Sequence, residues 1–220
     1  MKILVLTLCT ENLEYGPYTN ENALSYCKKN DYDIVIHKEI IDDSRPPAWS
    51  KVLLAQQYMN KGYDYLIIKD ADTLFYNFNK KLEDYVSGED FVFCSNTYGI
   101  IDTSFFYIKC HKKNELILKR VYNEFTNHIF KRAWEQAPFH ILWRENELGA
   151  VKVHKKNILN AWCDHEGRQY KSDIDKETFI VHFFGWFKDT EKNKANLEGN
   201  WLSKIINMHN SIKKQNLRNL

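Results

Sequence analysis

Three short apolar segments separated by two helical segments constrain the fold of the first 70 residues most strongly. The apolar segments are residues 2–9, 32–37 and 63–70. The first intervening helix is predicted to end near Lys29, and the second follows Pro47 and ends at Gly62. The order strand, helix, strand, helix, strand predicts a parallel sheet with right-handed crossovers.

The second half of the chain is less regular. Apolar runs predict further strands at residues 90–95, 103–110, 150–154 and 179–184. The second of these is expected to be antiparallel, because it follows a short loop that contains Gly99. Helical spacing predicts helices at residues 113–130, 134–146 and 193–213. Since no repeat or linker interrupts the chain, we predict one α/β domain with a Rossmann-like, mostly parallel central sheet, flanking helices and a smaller antiparallel part.

Charge and cysteine content exclude several classes of protein. A net charge of +2, with both signs mixed along the chain, argues against nucleic-acid binding. Five cysteines without a CxxC pair argue against a disulfide framework and favour free thiols in a reducing compartment. The apolar run at the start is too short for a signal peptide, and no run is long enough to span a membrane. We therefore expect a soluble, cytoplasmic protein; its oligomeric state is open.

Two carboxylates one residue apart, Asp70 and Asp72, lie at the end of the third apolar segment. In open α/β sheets, ligands bind beyond the carboxyl ends of the strands. Two hard oxygen ligands there suit Mg²⁺ or Mn²⁺ bridging to phosphates. The alternative is a pair of solvated acids in a turn that caps the next segment. The pair alone does not decide between them, because such pairs occur often by chance.

The late segment FIVHFFGWFK, residues 179–188, adds three further candidates. His182 ends an apolar strand, and an imidazole beside carboxylates favours Mn²⁺ over Mg²⁺. Gly185 would allow the backbone to approach a phosphate, and Lys188 could supply a point charge to it. Each feature is weak alone, but with the two aspartates they meet the needs of a nucleotide-diphosphate site. The prediction requires the fold to bring His182 within metal-binding distance of Asp72.

Four motifs together resemble one enzyme family. In chain order they are RPPAWSK, KDADTLFYN, WEQAPF and FIVHFFG. The set resembles the retaining GT-A glycosyltransferases typified by yeast α-galactosyl- and α-mannosyltransferases and plant xyloglucan xylosyltransferases, over most of residues 1–188. The spacing from His182 to Lys188 is also similar to the HxxGxxK motif of the glycogenin-type family.

The resemblance implies a metal-dependent enzyme that transfers a sugar from a nucleotide-sugar donor to a carbohydrate acceptor. A UDP-sugar is the donor expected first. It implies that residues 1–72 bind the nucleotide, that residues 73–190 bind the acceptor, and that residues 191–220 form a C-terminal helix. The implied Mn²⁺ (or Mg²⁺) ligands are Asp70, Asp72 and His182. The implied donor-binding residues are Thr7, Cys9, Thr10, Arg45, Lys51, Asp70, Ala71, Asp72, Gly185 and Lys188.

The resemblance also implies catalytic residues, namely Asp102, Glu135, Gln136 and Lys188. Asp102 would contact the donor sugar, where such enzymes have an asparagine-rich turn. Glu135 and Gln136 would lie near the anomeric carbon; where the family often has an acidic residue next, this chain has Ala137. Retention is expected to come from front-face attack within an ion pair, since no nucleophile is obvious.

Two alternatives to a glycosyltransferase remain open from the sequence. LIIKDADTL also resembles the first motif of haloacid-dehalogenase-type phosphatases, in which Asp70 would be the nucleophile and Asp72 the general acid. Against that assignment, the motif follows the third strand rather than the first, and no glycine follows the second aspartate. The other alternative is a non-catalytic sugar-binding protein on a similar fold.

Overall fold

The computed structural model describes residues 1–96, 98–131, 133–162, 174–183 and 191–217, with the backbone alone for 191–201 and 217. Within these residues the strands are β1 (Ile3–Leu8), β2 (Asp33–His37), β3 (Tyr65–Asp70), β4 (Thr73–Phe75), β5 (Phe91–Ser95), β6 (Ile101–Lys109), β7 (Val151–His154), β8 (Ala161–Trp162) and β9 (Ile180–His182). The α-helices are α1 (Gly16–Asn30), α2 (Ser50–Tyr58), α3 (Lys112–Glu124), α4 (Gln136–Arg144), α5 (Lys156–Leu159) and α6 (Glu191–Leu217).

The central sheet has six strands in the order β2-β1-β3-β6-β5-β7. Strand β1 pairs in parallel with both β2 and β3, as the alternating pattern predicts. Strand β6 is antiparallel to both of its neighbours, β3 and β5, which confirms the predicted change of direction. Because β6 runs against β3, it begins at the edge where β1 and β3 end. That edge therefore brings the carboxyl ends of β1 and β3 together with the amino end of β6.

A second sheet of three short strands, in the order β4-β9-β8, lies beside this edge. Strand β4 follows the two aspartates directly and pairs antiparallel with β9, so that Thr73 lies opposite His182. The backbone N–H of Phe183 also donates to the carbonyl of Asp72, at 3.0 Å. The segment after the aspartates is thus a strand and not a helix. A three-residue strand with a partner about 110 residues away has no local signature that would predict it.

The core lies on both faces of the central sheet. One face packs against α1, α6 and the small sheet, where the ring of Phe75 stacks on Tyr26 with centroids 3.9 Å apart. The other face packs against α2, α3 and α4 and includes the fully buried Trp49 and Phe139. Strands β1 and β3 are buried on both faces, which explains their continuous apolar runs.

The helix boundaries in the second half differ from the predicted ones. Helix α3 ends at Glu124 and gives way to a 3₁₀ turn at Thr126–His128, six residues short of the predicted end at 130. Helix α4 begins at Gln136 after two residues with positive φ, Ala133 (74°) and Trp134 (35°). Non-glycine residues adopt this conformation only where the surrounding structure enforces it. The turn therefore fixes the backbone just before Glu135.

Two composition-based expectations can be compared with the described residues. The four cysteines among them are free thiols, and Cys9, Cys27 and Cys94 are buried; Cys163 lies outside the described part of the chain. In the same residues, no helix combines the length and the apolarity that crossing a membrane requires.

Candidate functional site

Charged side chains converge where β3 ends and β6 begins. Asp70 is the last residue of β3, and Asp102 is the second residue of β6. Glu135 immediately precedes α4, and its side chain is almost fully buried. The topology brings these carboxylates to one edge, although successive members lie more than 30 residues apart in sequence. This is the edge at which open α/β sheets bind their ligands.

Lys51 lies at the centre of this group. Its ammonium nitrogen is 2.7 Å from Asp70 Oδ1 and 2.7 Å from Glu135 Oε1. It also donates to the backbone carbonyl of Thr103 at 2.9 Å, while the Thr103 hydroxyl donates to the same Glu135 oxygen at 2.9 Å. Burial alone would lower the pKa of Lys51, but Asp70 and Glu135 outweigh it and raise that pKa. The lysine is therefore a buried cation shared by two carboxylates.

Asp70 has a carboxyl pKa raised to about 7. Loss of solvent is the main cause; Asp72 and Glu135 add to it, and Lys51 opposes them. A cation that binds beside Asp70 would favour its ionised form.

Asp72 and His182 face each other across the small sheet, with His182 Nε2 3.4 Å from Asp72 Oδ1. The other ring nitrogen, Nδ1, is 2.6 Å from the side-chain oxygen of Asn160. With the Asn160 amide in this orientation, Nδ1 can donate to its oxygen, which leaves Nε2 facing Asp72. Burial would lower the pKa of His182, but the Asp72 carboxylate raises it above its ordinary value.

The same pair has the spacing of two ligands of one metal ion. Asp72 Oδ1 is buried and makes no hydrogen bond. Two ligands about 2.1–2.2 Å from one ion, at an angle of about 90–105°, are about 3.0–3.4 Å apart. Among the described residues, no three His, Cys, Asp or Glu side chains form a complete metal site, and Asp70 is turned to Lys51 instead. The residues present therefore fit an ion held by two protein ligands, with further positions left for other oxygen donors.

Asp102 is tied to the imidazole by a chain of polar side chains. Its Oδ1 accepts from the backbone N–H and the hydroxyl of Ser104. The Ser104 hydroxyl is also 3.5 Å from the Asn160 oxygen that faces His182. All four side chains are buried, and buried polar networks of this kind hold their members in one geometry. Asn160 is a functional candidate that the sequence did not single out; a buried asparagine beside apolar residues has no distinctive local signal.

Lys69 is a second buried lysine, on the opposite face of β3 from Lys51. Its side chain is 1% exposed and donates to the Asp70 carbonyl at 3.2 Å. Burial lowers the pKa of its ammonium to about 8, although Asp72, Cys9 and Asp70 counteract part of this effect. Nothing in the sequence marks Lys69 as buried, because a lysine at the end of an apolar run usually extends into solvent.

The residues expected to bind the donor nucleotide line the end of β1 and the turn after β3. Thr7 is buried, and its hydroxyl has no hydrogen-bond partner. The thiol of Cys9 accepts from the Asn20 amide at 3.4 Å, and Thr10 follows at a partly exposed position. Ala71 lies between the two aspartates and is 8% exposed. The unsatisfied Thr7 hydroxyl is the one member of this group with free hydrogen-bonding capacity in the interior.

Arg45 contacts two aromatic rings and a carboxylate of its own loop. Its guanidinium stacks 3.8 Å from the ring centroid of Tyr122 and 5.3 Å from that of Trp49. It also donates to the Tyr122 carbonyl, at 2.5 Å, and lies 3.7 Å from Asp42. These contacts fasten the loop before α2 to α3. The structure therefore brings Lys51 to Asp70, whereas Arg45 pairs with Asp42, and a donor contact by Arg45 stays a prediction.

The remaining predicted residues divide into two groups. Gln136 is the first residue of α4 and is partly exposed, next to the buried Glu135. Gly185 and Lys188 lie outside the described residues, so their roles stay predictions.

Solved structures of glycosyltransferases are similar to this chain over most of its length. A glycosyltransferase involved in glycosylation of the major capsid of the virus PBCV-1 matches with a TM-score of 0.68 and 18% identity, covering 90% of this chain and 99% of that one. The glycosyltransferase GlyE of Streptococcus pneumoniae matches with a TM-score of 0.58 and 12% identity, covering 96% of this chain and 63% of that one. Drosophila β1,4-galactosyltransferase 7, in complex with manganese, UDP-Gal and xylobiose, matches with a TM-score of 0.54 and 13% identity, covering 90% and 79%.

The chain has a GT-A-like glycosyltransferase fold. This confirms the predicted fold class, at identities that establish the fold alone. No protein-family model matches the sequence, and no curated protein matches it either. In this fold, Asp70 ends β3, Asp72 lies in the turn after it, and the small sheet brings His182 to Asp72.

Proposed function

We propose that this protein is a metal-dependent glycosyltransferase that moves a sugar from a nucleotide-sugar donor, UDP-linked in the first instance, to a carbohydrate acceptor. The observation that carries the proposal is the facing pair of Asp72 Oδ1 and His182 Nε2, 3.4 Å apart at the ligand-binding edge of a GT-A-like fold. Asp72 lies just after the third strand, and His182 follows it 110 residues later in the sequence. The fold brings the two side chains together, as two ligands of one metal ion at a diphosphate site must be.

In this proposal, Asp72 and His182 hold Mn²⁺ or Mg²⁺, and Asp70 contributes either directly or through a bound water. The metal would neutralise the negative charge that develops on the departing diphosphate. Gly185 and Lys188 would cover the same diphosphate, as their spacing after His182 suggests. Thr7, Cys9, Thr10 and Ala71 would border the nucleotide, so that residues 1–72 form the donor half and residues 73–190 the acceptor half.

The transfer breaks the bond between the anomeric carbon and the diphosphate oxygen and forms a bond to an acceptor hydroxyl oxygen. The acceptor proton passes to the departing phosphate oxygen in front-face attack, which retains the configuration. Glu135 has one oxygen held by Lys51 and Thr103, and Asp102 has one held by Ser104. Carboxylates fixed in this way suit hydrogen bonding to sugar hydroxyls and stabilisation of positive charge on the sugar. Gln136, beside Glu135, would orient the acceptor.

The choice of donor and metal has support from one similar structure. Drosophila β1,4-galactosyltransferase 7 was captured with manganese, UDP-Gal and xylobiose. That composition supports Mn²⁺ and a UDP-sugar as the first reagents to try here. We further propose that the transferred sugar is a hexose or a pentose and that its anomeric configuration is retained. Analysis of the reaction product tests both points.

A donor screen with Mn²⁺ tests the proposal. UDP- and GDP-linked glucose, galactose, mannose and xylose are assayed for thermal stabilisation and for donor hydrolysis, with wild type and Asp72→Ala compared in parallel. We expect at least one nucleotide sugar to stabilise the wild type only when Mn²⁺ is present, and its hydrolysis to be lost in Asp72→Ala. If no nucleotide gives metal-dependent stabilisation, the proposal is wrong.

The same screen separates the two alternatives. Hydrolysis of p-nitrophenyl phosphate that depends on Asp70 would favour a phosphatase, although the similar structures have a glycosyltransferase fold. Binding of sugars that survives Asp72→Ala, without turnover of any donor, would favour a non-catalytic sugar-binding protein. Nuclear magnetic resonance of the first product formed would report the anomeric configuration and so test retention.

A further inference from the structure

Lys51 uses all of its hydrogen-bonding capacity on protein groups. An ammonium group has three N–H donors. Those of Lys51 point to Asp70 Oδ1, Glu135 Oε1 and the Thr103 carbonyl, at 2.7, 2.7 and 2.9 Å. With its side chain 6% exposed, the lysine has no donor left for a nucleotide phosphate or ribose.

The three partners come from three different elements. Asp70 ends β3, Thr103 lies in β6, and Glu135 precedes α4. Lys51 itself belongs to α2, on the sheet face opposite the one that carries β4 and β9. It therefore connects the first aspartate of the proposed metal site to the glutamate of the proposed acceptor side.

We propose that Lys51 is a positioning residue, which fixes Asp70 and Glu135 relative to each other so that donor and acceptor sides align. The inference rests on the proposed function and differs from a direct role of Lys51 in donor binding. Without the ammonium, two desolvated carboxylates close to one another repel, and they separate or take up a proton. Since a misplacement of about 1 Å in an active site can reduce the rate about 100-fold, turnover is the property that depends on Lys51.

Lys51→Met tests the proposal, because methionine keeps the length of the buried stem and removes the charge. The matched control is Asn114→Ala. Asn114 is buried and donates to the carbonyls of Asp90 and Lys109 at the opposite edge of the sheet. The Asn114→Ala substitution therefore destabilises the fold at a position that does not contact Asp70 or Glu135. Both variants are assayed with the donor selected in the screen, for kcat and KM, and for binding of UDP with Mn²⁺ by calorimetry, at 15 °C.

We expect kcat of Lys51→Met to fall about 100-fold, while its KM and its affinity for UDP with Mn²⁺ stay within about threefold of the wild type. The control should keep the wild-type kcat. A tenfold or greater loss of UDP affinity with unchanged kcat would show direct donor binding and overturn the inference. A folded Lys51→Met with wild-type kcat would show a merely structural role and overturn it as well.

A double-mutant cycle keeps this inference separate from the proposed function. The free energies of unfolding of Lys51→Met, Glu135→Gln and the double variant are measured without nucleotide or metal. We expect strong non-additivity, with Glu135→Gln recovering part of the stability lost in Lys51→Met. If the wild type binds no nucleotide, the proposed function fails. If the effects of the two substitutions on the free energy of unfolding are additive, Lys51 and Glu135 are not coupled. The inference is then wrong, whatever the function of the protein proves to be.

Discussion

Replacing Lys69 by methionine is expected to stabilise the metal-free protein. Its ammonium is 1% exposed and makes one hydrogen bond, to the Asp70 carbonyl at 3.2 Å. Burial lowers its pKa from 10.5 to about 8, against the opposing effect of Asp72, Cys9 and Asp70. The folded protein therefore carries this charge at neutral pH at the expense of its own stability.

The magnitude follows from the difference in pKa between the folded and unfolded states. One pKa unit corresponds to about 1.4 kcal/mol, so the buried charge costs about 3 kcal/mol at pH 7. Methionine removes this cost and loses a hydrogen bond worth about 1 kcal/mol, which leaves a net gain of about 2 kcal/mol. Between pH 8 and 10.5 the folded state binds fewer protons than the unfolded state, so wild-type stability gains with rising pH. The advantage of methionine should therefore disappear by about pH 10.

Urea unfolding in EDTA at pH 7 and pH 10 measures this difference. Lys51→Met is the matched comparison, because the same substitution there removes a cation shared by two carboxylates. It should destabilise the protein by about 3–5 kcal/mol at pH 7. A destabilisation of more than 1 kcal/mol by Lys69→Met at pH 7, or a gain that does not change with pH, would refute the reasoning.

Three further predictions concern the core, one close contact and the support of the imidazole. Phe75→Ala should lower the free energy of unfolding by about 3–5 kcal/mol, because the ring is fully buried; a urea midpoint close to that of the wild type would contradict this. Gly16→Ala places a Cβ 2.8 Å from Cys9 Sγ, so it should cost about 1–3 kcal/mol, and adding Cys9→Ala should recover most of it; equal melting temperatures for the single and double variants would argue against the contact. Asn160→Ala removes the partner of His182 Nδ1 and should raise the Mn²⁺ concentration for half-maximal donor hydrolysis about 10–100-fold; an unchanged metal requirement would speak against that support.

The sequence predicts the central sheet well, because β1 and β3 are buried on both faces and appear as unbroken apolar runs. It does not predict β4 and β8, which have three and two residues and are stabilised by distant partners. The predicted α3 is too long, because Phe125 and Ile129 keep the helical spacing of apolar residues while Thr126–His128 between them form a 3₁₀ turn.

In the candidate site, too, features that depend on local sequence motifs could be predicted, whereas contacts between distant parts of the chain could not. The expectation that His182 approaches Asp72 could be drawn from the order of the motifs, and the structure brings the two side chains together. The attachment of Lys51 to Glu135 could not be predicted, because it depends on how α2 and α4 pack on the sheet. Asn160 was missed for the same reason, as its function depends on one contact across the small sheet.

A crystal soaked with MnCl₂ and UDP, with data collected near the manganese absorption edge, tests the central claim most directly. The predicted result is an anomalous peak within about 2.3 Å of both Asp72 Oδ1 and His182 Nε2, with the UDP diphosphate beside it. Bound UDP without manganese at this pair, or manganese bound elsewhere in the molecule, would contradict it.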